Sequence, residues 1–166
     1  MYKFYLDKVL LPVTPSSVTI KISNKNKTYT LLNDGEINVL KDAGLTDIEF
    51  DCLLPNVKYP FSQYTNGFKK ANYFLEKIEK FKLDKKPFKF KILRQNSRGN
   101  LLFNTNFSVS LEDYNIKEDV KNYGTDVYVS IKLKQYKPFG TQKAVIVSKD
   151  KKTATTEKTR ETKKTD

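Results

Sequence analysis

The chain has 166 residues, 38% apolar and 30% charged, and a formal net charge of +12. One cysteine and no histidine exclude, within this sequence, a disulfide, a zinc site of the usual Cys/His kind, and any triad or dyad with histidine as base. The length suffices for one domain with its own core.

No run of about 18 apolar residues occurs, so no membrane-spanning helix is expected. The first eight residues interleave Lys and Asp with aromatics. They lack the unbroken apolar segment of a secretory signal, so export by that route is not expected. Residues 149–166 hold seven basic and four acidic side chains, which leaves +9 on the rest. Such a balance favours acidic partners.

Residues 2–11 read as a first strand, with Tyr2, Phe4 and Leu6 on one face and Lys3, Tyr5 and Asp7 on the other. Pro12 and Pro15 then impose a stiff loop. A second strand alternates Val18, Ile20 and Ile22 with Thr19, Lys21 and Ser23. Asn24 to Lys27 supply turn chemistry, and residues 28–32 are expected to return as the hairpin partner of that strand. Asn33-Asp34-Gly35 marks another turn, followed by a short strand over 36–40. Residues 45–53 alternate again. Ile48, Phe50 and Cys52 face inward, while Asp47, Glu49 and Asp51 face out. On that face Cys52 reads as a small buried hydrophobe rather than a reactive thiol.

After an irregular stretch containing Pro55 and Pro60, one helix is expected, capped by Thr65 or Asn66. Phe68, Ala71, Leu75, Ile78 and Phe81 form its apolar stripe, widened by Phe74. Glu76 and Lys80 are spaced to pair along it, and Asp84 and Pro87 end it. Phe88, Phe90 and Ile92 then alternate with Lys89 and Lys91. Residues 97–100 form a hairpin turn, and residues 101–111 return. Glu112, Asp113, Glu118 and Asp119 read as a charged turn around residues 114–117. The last strand alternates Val127, Val129, Ile131 and Leu133 with Tyr128, Ser130, Lys132 and Lys134. Apolar periodicity ends there, and the Lys/Thr/Glu-rich end reads as a charged flexible linker.

This order predicts an α+β fold, a mostly antiparallel β-sandwich or barrel with one flanking helix. Residues 1–147 are the β-rich domain and residues 148–166 the linker. No convergent acid, base or nucleophile set is visible, nor any phosphate-cradling glycine loop. No enzymatic activity, cofactor or metal is expected. The ladder Asp47-Glu49-Asp51 reads as a solvated face beside lysines of a neighbouring strand. Lys89, Lys91, Lys132 and Lys134 with Tyr128 are the candidates for a basic nucleic-acid-binding face. The buried side of Phe88, Phe90 and Phe107 leaves few stacking platforms for that reading. The preferred reading is structural, with heterologous contact between copies, lysine faces against the acidic ladder, which builds rings when the rotation closes; the nucleic-acid-binding module is the alternative.

Several stretches resemble one family. They are Tyr2-Lys-Phe-Tyr-Leu-Asp-Lys-Val-Leu-Leu-Pro-Val-Thr-Pro15, Asn33-Asp-Gly-Glu-Ile-Asn38, Leu45-Thr-Asp-Ile-Glu-Phe-Asp51, Leu54-Pro-Asn-Val-Lys-Tyr-Pro60, and Ser110 to Val120 running on to Ser130-Ile-Lys-Leu-Lys-Gln-Tyr-Lys137. Over residues 1–140 the chain resembles the LysM-bearing tail proteins of PBSX-like prophages and related phages. That resemblance implies a tail-tube-like domain in a sixfold ring, placed between the inner tube and the hub or spike of a contractile tail or R-type bacteriocin. The implied partners are further copies, the tube or its initiator, the hub or spike, and baseplate wedges. The implied location is the particle, assembled in the bacterial cytoplasm. In the family a charged linker leads into a LysM module that would dock to the wedges. Here the linker is present and the sequence ends at Asp166, so the module either lies beyond this sequence or is absent from this member.

Overall fold

A computed structural model describes residues 1–32 and 34–139. The expected linker, and the boundary at residue 147, lie outside them. In chain order the strands are β1 (Tyr2–Leu6), β2 (Val9–Leu10), β3 (Val18–Lys21), β4 (Lys27–Leu31), β5 (Gly35–Val39), β6 (Asp47–Leu54), β7 (Phe88–Arg94), β8 (Thr105–Glu118) and β9 (Val127–Gln135). The helices are α1 (Ala71–Asp84), between β6 and β7, and the single-turn α2 (Val120–Tyr123), between β8 and β9.

Seven strands form one sheet in the order β2-β1-β7-β8-β9-β6-β3. Every pairing in it is antiparallel. The α+β, mostly antiparallel reading therefore holds. The sheet is open, with β2 and β3 as its edges, rather than a closed barrel.

β8 is the strand about which the sheet turns. Its first residues, Thr105 to Val109, pair with β7, and Val109 to Glu118 pair with β9. A bulge between Leu111 and Asp113 interrupts the second ladder, and bulges bend the strand that carries them. The two halves thereby fold face to face. Phe50 of β6 lies three strands from β7, yet its ring stacks on Phe90 at 5.4 Å and approaches Phe4 of β1 at 6.2 Å.

Alternation fills the space between the halves. Ile48, Phe50, Cys52 and Leu54 face Phe4, Leu6, Phe88, Phe90 and Ile92, with Val127, Val129, Ile131 and Leu133 beside them; all are buried. The helix contributes Ala71, Phe74 and Ile78. Burying Phe74 and Ile78 stabilises the fold by about 1.5–3 kcal/mol each. Phe81 stacks on Phe88 at 4.3 Å, which sets the helix against β7.

Five local expectations change. Residues 2–11 make two strands, because Asp7 adopts φ 55° and turns the chain back into β2. β3 pairs with β6, not with residues 28–32, which pair with β5 instead. The helix starts at Ala71, beyond Thr65 and Asn66, and Lys70 at its N-cap supplies no side-chain bond. Asn56 accepts the Ala71 N–H at 3.1 Å in its place, and Phe68 packs edge-on against Tyr64 ahead of the helix. Glu76 accepts from Asn72 at 2.7 Å, and the described ion pairs do not join it to Lys80. Residues 112–118, read as a charged turn, are the second half of β8; the turn itself is α2, capped by Asp119.

Candidate assembly surfaces

The outer face of the β8–β9–β6–β3 half carries five of the seven sequence-predicted site residues. The register sets Asp47 opposite Lys134, Glu49 opposite Lys132 and Asp51 opposite Ser130. Lys134 Nζ lies 3.3 Å from Asp47 Oδ1, and Lys132 Nζ lies 3.9 Å from Glu49 Oε1. Asp113 of β8 faces Lys132 from the other side. The acidic ladder and these two lysines therefore meet within one chain. Both pairs stay substantially open to water, at 40–42% and 56% side-chain exposure. The face is close to charge-neutral.

Lys89 and Lys91 stand on the other half, exposed on the outer face of β7. Lys91 pairs in register with Tyr5 and Asn106, and Lys89 with Ser108. Lys3 of β1 lies on the same face, opposite Leu93. No carboxylate occupies these register positions. One half of the molecule thus presents a near-neutral outer surface and the other a basic one.

A polar cluster around Asp126 holds the scaffold rather than offering chemistry. Asp126, 4% exposed, accepts from the Asn56 backbone N–H and from Tyr59 Oη, both at 2.7 Å. That hydrogen bond, then burial, pushes the Tyr59 hydroxyl pKa up. Asn56 Nδ2 donates to the Thr125 carbonyl at 2.7 Å. Cys52 is buried, and burial together with nearby Asp51 pushes its thiol up to about 12, so it is protonated and inert at neutral pH. Tyr128 is also shifted up, by burial first and by Asp51 second, and its ring stacks on Tyr123 at 5.1 Å. No group of three metal-ligating side chains occurs among the described residues.

Sequence reasoning missed an exposed apolar surface on a separate arm. β4 and β5 form a separate two-stranded sheet in which every residue is exposed. Tyr29 lies opposite Ile37 and Lys27 opposite Val39. With Leu31 these make one apolar face, while Thr28, Thr30, Glu36 and Asn38 make the other. The arm is fastened at its base by the Gly44 N–H donating to the Ser23 carbonyl at 2.8 Å. A Cβ on Gly44 would sit 2.9 Å from that oxygen, so only glycine fits there. The available signal is Asn33-Asp34-Gly35, a tight-turn sequence consistent with residues 27–31 pairing with residues 35–39 rather than with residues 18–23.

No protein-family model and no curated protein matches the sequence. Solved structures do. The chain is similar to one in the sheath–tube complex of the PVC extracellular contractile injection system in its extended state. Identity is 14%, TM-score 0.54, over 82% of this chain and 84% of that one. It is similar to a chain of the native gene transfer agent virion, at 8% identity and TM-score 0.53, over 86% and 95%. A third likeness is to a chain of the sixfold-symmetrised anti-feeding prophage baseplate, at 4% identity and TM-score 0.52, over 82% and 87%. At these identities what is shared is the fold.

Proposed function

We propose that this chain is a non-enzymatic structural component of a contractile phage tail or phage-tail-like bacteriocin. Copies form a ring, six by expectation, that joins the inner tube to the hub or spike. The observation that carries the reading is the fold, shared over at least 82% of the chain with chains of two contractile injection systems. The sixfold symmetrisation of one of those assemblies supports the ring order. The sequence resemblance to LysM-bearing tail proteins supports the adaptor position, with a LysM module, where present, reaching the wedges.

In this reading the strands of each copy continue a shared barrel. Asp47, Glu49, Asp51, Lys132 and Lys134 lie on one outer face and Lys89 and Lys91 on the other. One face lines the lumen and the other meets neighbouring subunits. The test is fractionation of induced source cells on a density gradient, with and without nuclease, and then blotting for this chain. Recovery with intact tail particles is expected. Recovery only in the small soluble fraction, shifting when nuclease is omitted, would replace this reading with a basic β-rich nucleic-acid-binding module.

A further inference from the structure

Arg94 ends β7 on the inward side and is only 7% exposed. Its guanidinium lies 4.2 Å from the Phe103 ring centroid and 5.8 Å from that of Tyr2. Nη1 donates to Thr105 Oγ1 at 2.8 Å and to the Phe103 carbonyl at 3.4 Å. Neither of the two ion pairs among the described residues includes it. An arginine this little exposed, whose described partners are two neutral oxygens, still has guanidinium donors to offer a carboxylate. Around it the surface is apolar and open: Leu101 is 59% exposed, Leu102 56% and Phe103 64%. Arginine beside aromatic side chains at the centre of an apolar patch is the composition of an interface anchor.

The same chain carries a complementary element. The β4–β5 arm ends in Leu32, which is wholly exposed, next to Asp34 and Glu36, which pair with no cation among the described residues. Its apolar face, Tyr29, Leu31, Ile37 and Val39, is 38–48% exposed. An isolated two-stranded hairpin is marginal in water, and large side chains gathered on one exposed face mark an interaction surface.

We propose that the tip of the β4–β5 arm of one copy docks on the Tyr2–Arg94–Phe103 site of another, the Asp34 carboxylate at the tip meeting Arg94 and the apolar side chains of the arm covering Leu101 and Leu102. The contact joins two different surfaces, so it is heterologous and propagates from copy to copy. It deepens the proposed structural role and rests on it for biological meaning, but the contact is testable in the isolated chain.

The experiment uses purified, concentrated full chain carrying Leu32→Cys and Leu102→Cys, with a short bismaleimide as the probe. Native Cys52 is silent here, since its buried thiol is protonated and out of reach. The double variant should give a ladder of covalent oligomers on a denaturing gel. Each single variant alone should give monomer with at most a trace of dimer. Adding Asp34→Lys and Glu36→Lys, both on the exposed arm, should weaken the ladder by about tenfold or more while the unfolding midpoint stays in place. Monomer alone in the double variant would overturn the proposal and leave the Arg94 site to a segment beyond residue 139 or to another protein. A ladder untouched by the charge reversals would overturn the role of Arg94. Either failure, with the chain still found in tail particles, removes this contact and leaves the structural role standing.

Discussion

Two parts of this chain carry the same sequence pattern and opposite fates. In β6, Ile48, Phe50 and Cys52 alternate with carboxylates and are at most 4% exposed. In the β4–β5 arm, Tyr29, Leu31, Ile37 and Val39 alternate with polar residues just as regularly and are 38–48% exposed. Alternation chooses which side chains share a face; burial requires a second layer opposite that face. The β8 turn supplies this layer to β6 by bringing Phe4 and Phe90 against Phe50. The arm leaves the sheet at Lys21 and rejoins it at Asp47, paired in register to each other, so it projects without an opposing layer among the described residues.

The contrast is broken most forcefully by a pair of truncations. Phe90→Ala should cost about 3–5 kcal/mol, because its ring is fully buried between Phe4 and Phe50. Tyr29→Ala should stay within about 0.5 kcal/mol in the monomer. Urea denaturation of each variant at low concentration measures both. Equal losses would mean that the arm packs on the body, and the distinction between arm and body would be wrong.

The legible part of the sequence divides along the same line. Local pattern identified the inward faces of β6, β7 and β9, the approximate position of α1, the burial of Cys52 and the open surfaces of Lys132, Lys134 and the acidic ladder. Pairing between distant segments was not legible. β3 and β4 are adjacent in sequence and each alternates, yet β3 is claimed by β6, where Val18 meets Phe50 and Ile20 meets Ile48. Local pattern makes the second half of β8 a turn, because Glu112, Asp113, Glu118 and Asp119 flank residues 114–117 with charge. A strand near the bend of a rolled sheet tolerates charge on its outer face, and Asp113, Asn115 and Lys117 stand in register with Lys132, Ser130 and Tyr128. The helix start was misplaced for a similar reason: its first N–H is satisfied by Asn56, 15 residues upstream, rather than by a neighbour. Arg94 carried no local signal at all, since an inward arginine breaks the alternation that located its neighbours.

An intermediate case is the irregular segment between β6 and α1. It has no ladder, and it is held by Asp126 and Asn56 instead of by a layer. Asp126→Ala would leave the Asn56 backbone N–H without its acceptor at a half-buried position, at a cost of about 1–3 kcal/mol. Asn56→Ala removes the Ala71 and Thr125 bonds from the same cluster. The double variant should therefore lose less than the two single losses together. Strict additivity in denaturation midpoints would show that the two residues act separately, and that packing alone holds this segment.

The smallest effect concerns the ion-paired face, and there the monomer and the assembly separate most clearly. Lys134–Asp47 and Lys132–Glu49 are open to solvent, so each pair contributes about 0–1 kcal/mol. Lys132→Glu with Lys134→Glu also gathers like charges beside Asp47, Glu49 and Asp51, yet the isolated domain should remain folded, with only a modest drop in midpoint. If the face meets a neighbouring copy, the same variant should be missing from tail particles. Adding Asp47→Lys and Glu49→Lys restores both pairs with their polarity reversed. Particles that recover fully with this exchanged set would show that the pairs serve only their own chain. Restored midpoints without restored incorporation would show that the original sign pattern is read by a neighbour. The two pairs would then stabilise the monomer weakly while fixing which surface it presents.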